Sequence, residues 1–199
     1  MFITENLQSA AQALGCTVAA IRAIAQEEAG GIGFYEGTDK AVAKFEGHLF
    51  HHHSNGVFCK SHPALSYPSK TERHTQYGPV GAYNRLNQAM KLDADAAVMA
   101  TGWGAFQILG EEYEACGFKH LMSFTIAMHT DINDHLAAFV AYVKYHGLQH
   151  YLINMAQPGQ ALIQANGFAG RYNPHGYRAK DYDVNVANYF TKFNKQNLS

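Results

Sequence analysis

Gln26-Glu27-Glu28-Ala29-Gly30-Gly31-Ile32-Gly33-Phe34, written QEEAGGIGF, closes an apolar helical run with two adjacent carboxylates and three glycines within four residues. A helix turns 100° per residue. On that wheel Leu14, Val18, Ile21, Ile24 and Ala25 form one apolar face. Glu28 falls within roughly 30–40° of the centre of that face, whereas Glu27 lies about 130° away. Glu28 thus continues the core stripe, and Glu27 is expected to face water as solvated surface. At the C-terminal end of a buried face, the helix dipole and desolvation both disfavour an ionised carboxylate. Both effects raise proton affinity, which suits a general acid. The glycines that follow would let a bulky substrate approach the backbone. The plainer alternative is a frayed helix end with Glu28 solvated.

The rest of the chain bounds what such an acid serves. Its 199 residues suit one compact domain, and 47% hydrophobic with 16% charged residues supplies a sizeable core. A net charge of −1 gives no global pull toward nucleic acid or an anionic membrane. Cys16, Cys59 and Cys116 are an odd count without a CxxC pair, and read as free thiols of a reducing compartment. MFITENLQSAAQ lacks the basic and apolar regions of a Sec signal, and no apolar run reaches spanning length.

Local signals place helices over most of the chain. Thr4 to Leu14 reads as a helix with Thr4 as N-cap and Gly15 as its stop. Thr17 caps a second, VAAIRAIAQEEA, ended by Gly30-Gly31. Residues 33–82 are irregular, with an extended pair expected between Val42–Phe45 and Gly56–Phe58. Further helices are expected over Tyr83–Met99, Ala105–Cys116 (ended by Gly117), Ser123–Ala127, Asp131–Tyr145 (capped by Asp131), Tyr151–Met155, Gly159–Phe168 and Tyr177–Phe193. The expected class is mainly α, one domain with a small loop-rich or β-hairpin insert.

Candidate partners of Glu28 come from later segments. Lys44-Phe45-Glu46-Gly47-His48 offers a second carboxylate, Glu46. Residues 101–110, TGWGAFQILG, hold the only tryptophan, Trp103, with Thr101 and Gln107. Arg171-Tyr172-Asn173 add an aromatic and an amide. Flat aromatic faces and amides are what a sugar-binding groove uses, although Trp103 and Phe106 taken singly also fit a core. His48, His51, His52, His53, His62 and His74 carry neither HExxH nor a cysteine pair, and read as structural histidines without a metal. AAQALGCTVAAIRAI, residues 10–24, has helix-turn-helix spacing, but its second helix carries one Arg and two Glu, a poor groove reader.

Together EAGGIGF, KFEGH, WGAFQILG and RYNPHGY, in this order, resemble the N-acetylmuramidase domain of bacteriophage endolysins, a lysozyme-like family. The resemblance runs from about residue 18 to about residue 190. It departs at Ala29, where the family usually has Ser, at Thr101-Gly102 before the tryptophan, and at the Pro174-His175 inserted before Gly176.

The resemblance implies cleavage of the β-1,4 bond between N-acetylmuramic acid and N-acetylglucosamine in peptidoglycan. Glu28 would be the acid, Glu46 the first candidate base or electrostatic partner, and Thr101, Trp103, Gln107, Tyr172 and Asn173 the sugar contacts. Carboxylates about 6.5–9.5 Å apart would fit inversion, and about 5–5.5 Å retention. The alternative chemistry is a lytic transglycosylase that leaves 1,6-anhydro ends. The expectation is one catalytic domain over residues 1–199 with no separate cell-wall-binding domain, although members of such families often carry one, together with no cofactor, no nucleic-acid partner, no membrane insertion and a monomer. Such an enzyme is made in the host cytoplasm and released to the wall at lysis. Arg171, Arg178, Lys180, Lys192 and Lys195 against Asp181 and Asp183 would give the C-terminal segment weak attraction to an anionic envelope.

Overall fold

The computed structural model describes residues 2–69, 78–173 and 181–196. Among the described residues it has ten helices and one three-stranded antiparallel sheet. None of these helices is long and apolar enough to cross a membrane.

Helix α1 (Thr4–Leu14) stops at Gly15, whose φ of 68° is the left-handed cap conformation. Its N-cap is Ile3, without a side-chain bond, so Thr4 lies inside the first turn rather than at the cap. Helix α2 (Val18–Ala29) starts as its sequence dictates: the Thr17 side chain accepts from the Ala20 amide. It ends at Gly30 and Gly31, whose amides close onto the Gln26 and Ala25 carbonyls. Ala19, Ala20, Ile21, Ala23 and Ile24 are fully buried, and α2 packs most extensively on α10 (Tyr182–Gln196). A helix enclosed in this way has no free face to enter a DNA groove, which removes the helix-turn-helix reading.

Strand β1 (Ala43–Phe45) does not pair with residues 56–58, which form turns after the short helix α3 (Gly47–His53). It pairs with β2 (Thr101–Trp103) in the register Ala43 to Trp103, and β2 continues to β3 (Ile108–Leu109). The helix expected over 83–99 is two, α4 (Gly78–Met90) and α5 (Ala94–Met99). Asp93 divides them by accepting from the Ala96 amide and capping a new helix. The helix expected over 105–116 is absent. Gly104 at φ 69° and Gln107 at φ 49° break the chain into a 3-10 turn, and a hairpin strand follows.

Helices α6 (Leu121–Thr130), α7 (Ile132–Tyr145), α8 (Gln149–Asn154) and α9 (Ala161–Tyr172) complete the core. Asp131 caps α7 as its position suggests, accepting from Asn133 N. Of the helix expected over 177–193, residues 177–180 lie outside the described residues.

Buried His135 on α7 fixes the 3-10 turn. Its Nε2–H donates to the Met128 carbonyl at 2.9 Å, and its Nδ1 accepts from Ala105 N at 3.2 Å. A side chain at Gly33 or Gly104 would strike this ring, at 2.7 and 2.5 Å. Burial pushes the His135 pKa below the ordinary histidine value, in keeping with the neutral tautomer these bonds require.

Candidate active site

The last turn of α2 opens into a groove of about 520 Å³. Glu27 and Glu28 from α2, Lys44, Glu46, Gly102 and Gln107 from the sheet and its connections, and Tyr142, Tyr172, Asn173 and Tyr182 from the later helices line it. Its size and its mixture of apolar wall with a few convergent polar groups suit an oligosaccharide segment.

Glu28 is half-buried. The buried Tyr182 on α10 donates to its Oε1 at 2.7 Å. Burial, then the negative charge of Glu28, holds the Tyr182 hydroxyl well above the usual phenol range. The same two causes act on Tyr172, whose hydroxyl donates inward to the Phe106 carbonyl at 2.6 Å. Both hydroxyls remain neutral donors. Burial, with the Glu112 charge next, pushes up Tyr142 as well.

Glu27 departs from the wheel. It is half-buried rather than free surface, lines the same groove, and accepts from Asn185 Nδ2 at 3.4 Å. The helix ends against α10, so the side of the wheel that points away from the core still meets protein. The glycines depart too. Gly30 and Gly31 terminate α2 and Gly33 packs on His135, but none of the three lines the groove. Among the described residues, the glycine that does is Gly102 on β2.

Glu46 lines the groove where β1 passes into α3. Its Oε1 lies 2.6 Å from Lys44 Nζ and its Oε2 3.7 Å from His48 Nδ1. Gln107 holds an unusual left-handed backbone while its amide nitrogen donates to the Val42 and Gly104 carbonyls, at 3.2 and 2.9 Å. These bonds fasten the 3-10 turn to the end of β1.

Two of the expected sugar contacts lie elsewhere. Trp103 is 2% exposed, its indole N–H donating to the Val98 carbonyl, and Thr101 is fully buried with its hydroxyl on Ala97 O. Neither lines the groove. In the antiparallel pair with β1, both side chains fall on the face that packs into the core, which leaves Gly102 between them to face the groove. Glu28, Glu46, Gln107, Tyr172 and Asn173 do come together. Tyr182 and Glu27 were not found from sequence. Tyr182 is 154 positions from its partner and carries no local signal.

No group of three or more ligating side chains that could hold a metal ion occurs among the described residues. Cys16 and Cys116 are free thiols that burial pushes up to about 11 and about 12, and Cys59 is also free.

A groove lined by carboxylates from a helix end and from the β1–α3 junction, together with amides and tyrosines, fits a polysaccharide-cleaving class of enzyme. The chain belongs to the N-acetylmuramidase family, whose model matches residues 17–194. It is a glycoside hydrolase of that type and acts in peptidoglycan degradation. Among solved structures it is similar to the crystal structure of Burkholderia AP3 phage endolysin, with a TM-score of 0.79 and 28% identity over 98% of this chain and 72% of that one. No curated protein sequence matches.

Proposed function

We propose that the protein is a phage endolysin that hydrolyses the β-1,4 bond between N-acetylmuramic acid and N-acetylglucosamine, with Glu28 as general acid. The observation that carries the reading is the 2.7 Å bond from the buried Tyr182 hydroxyl to Glu28 Oε1, which holds the carboxyl in place at the groove that Glu28 lines. Glu28 gives its proton to the bridging oxygen as the bond to the anomeric carbon breaks through an oxocarbenium-like transition state. Water then adds its hydroxyl to that carbon, and its proton passes to a carboxylate. Glu46, tethered to Lys44 and lining the same groove, is the candidate for that role or for electrostatic support of the cation.

Gln107, Tyr172 and Asn173 line the same groove and are the sugar contacts of this reading, while Trp103 and Thr101 support the wall from behind. The chain acts as one catalytic domain and as a monomer, is made in the host cytoplasm, and reaches the wall at lysis. Weak attraction of its C-terminal segment to the envelope is part of this reading; Arg178 and Lys180 lie outside the described residues.

The test is Glu28→Gln on purified cell walls, with mass spectrometry of the wild-type muropeptides. Full activity in the variant removes Glu28 as the acid. Reducing muramic ends support hydrolysis, and 1,6-anhydro ends overturn it in favour of a transglycosylase.

A further inference from the structure

A glycan strand is a polymer and continues past the ends of any groove that cleaves it, onto the protein surface. Flat rings presented to solvent hold a sugar there, because its C–H face stacks on them. The groove itself has few such faces to offer. Trp103 is in the core, Tyr142 and Tyr182 are buried, and the Tyr172 hydroxyl donates inward. Among the described residues, Tyr145 at the end of α7 is the one Phe, Tyr or Trp that is largely exposed, at 71%. A single exposed tyrosine is ordinary on a protein surface. This one ends a row of rings that starts in the groove. Tyr142, which lines the groove, has its ring centroid 4.3 Å from that of His146, and His146 lies 5.0 Å from Tyr145. Glu112, which also lines the groove, stands 3.1 Å from His146 Nε2 and holds the middle ring in place.

We propose that Tyr145 and His146 form an outer subsite, a stacking shelf for a sugar ring of the same strand beyond those held in the groove. This inference rests on the reading of the groove as the glycan site. The shelf is continuous with the groove through Tyr142 and Glu112, and the Glu112 carboxylate supplies acceptors for sugar hydroxyls beside the rings. Gly147, at φ 65°, turns the chain immediately after His146, and a Cβ there would meet nothing within 4 Å, so the corner is open to a passing chain. The surroundings are polar: Lys144 and His150 are exposed on either side. One exposed ring within a polar rim suits a hydroxylated ligand, whereas an apolar protein partner needs a broader apolar patch. Because His146 is already held by Glu112, stacking costs little ordering of the shelf.

The test is steady-state cleavage of purified cell walls, set beside a series of peptidoglycan oligomers of increasing length. Tyr145→Ala is expected to raise the apparent KM on walls by about 3–10-fold with kcat unchanged. On the shortest oligomer that is cleaved, its KM should match the wild type. Tyr145→Phe keeps the ring and should keep the wild-type KM throughout. A Tyr145→Ala variant with an intact melting temperature and an unmoved KM on walls overturns the inference. So does a rise equal at every length, or one that Tyr145→Phe reproduces. Ile126→Ala on α6 removes another exposed apolar side chain, one that does not line the groove; a matching rise there also overturns the inference. The two readings fail separately. An active Glu28→Gln or 1,6-anhydro ends remove the proposed mechanism and leave the length dependence to decide the subsite. A wild type that cleaves as proposed, beside an unmoved Tyr145→Ala, overturns the subsite alone.

Discussion

The two walls of the groove are built on different principles. The wall carrying Glu28 is the seam of two helices, α2 and α10, whose apolar faces are buried and whose polar ends meet through Tyr182 and Asn185. The wall carrying Glu46 is a short sheet edge, held by a few backbone pairs, the Gln107 amide and an ion pair whose lysine is largely exposed. Helix packing fixes a side chain through many contacts at once. A screened surface pair fixes it weakly. Under the proposed mechanism the proton donor belongs to the rigid side and the adjustable side grips the glycan.

Substitutions on each wall can break that contrast. Glu28→Gln should lower kcat by about 10²–10⁴-fold without changing the fold, as loss of a general acid does; a smaller effect would shift the chemistry toward the Glu46 wall. Gly110→Ala tests the scaffold of the sheet wall, because its new Cβ would lie 2.1 Å from the Val98 carbonyl. Overpacking against backbone should destabilise by at least about 1–3 kcal/mol in a urea titration.

Tyr182→Phe should cost about tenfold in kcat, the equivalent of about 1.4 kcal/mol, with KM little changed. An equal rise in KM would mark Tyr182 as a substrate contact instead. A smaller effect is set by pH through His135. Burial favours its neutral form in the folded state, so the unfolded chain takes up a proton first as pH falls. Stability should be full above the ordinary histidine value of about 6.5 and decline below it. Unfolding free energies compared between wild type and His135→Gln at several pH values should show a shallower slope in the variant. Smallest of all, Lys44→Gln should change stability by less than about 1 kcal/mol, since the lysine it removes is largely exposed; a larger loss in thermal melting would contradict the loose character of that wall.

What could be read from the chain follows the reach of each physical effect. Thr17 and Asp131 announce their helices because a cap is decided within three residues. Gly15 and Gly30 announce helix ends for the same reason. The expected helices over 83–99 and 105–116 failed because Asp93, Gly104 and Gln107 each took a local conformation that outweighs apolar spacing. Strand β1 was correctly read as extended but given the wrong partner, since pairing to a strand far along the chain leaves no trace in either segment alone. Trp103 was expected at a sugar platform and lies in the core, because strand alternation shows which residues share a face but not which face is buried.

The sequence by itself determined a mainly helical domain, four motifs in family order, and the preference for Glu28 over Glu27 on the core side of α2. These depend on periodicity and on short spacings. Only the tertiary structure decided that Glu27 also enters the groove, that Gly102 rather than Gly30 or Gly31 gives it room, and that Tyr182 reaches Glu28. Those outcomes depend on where α10 docks, and docking is set by the fit of whole surfaces rather than by any local run of residues.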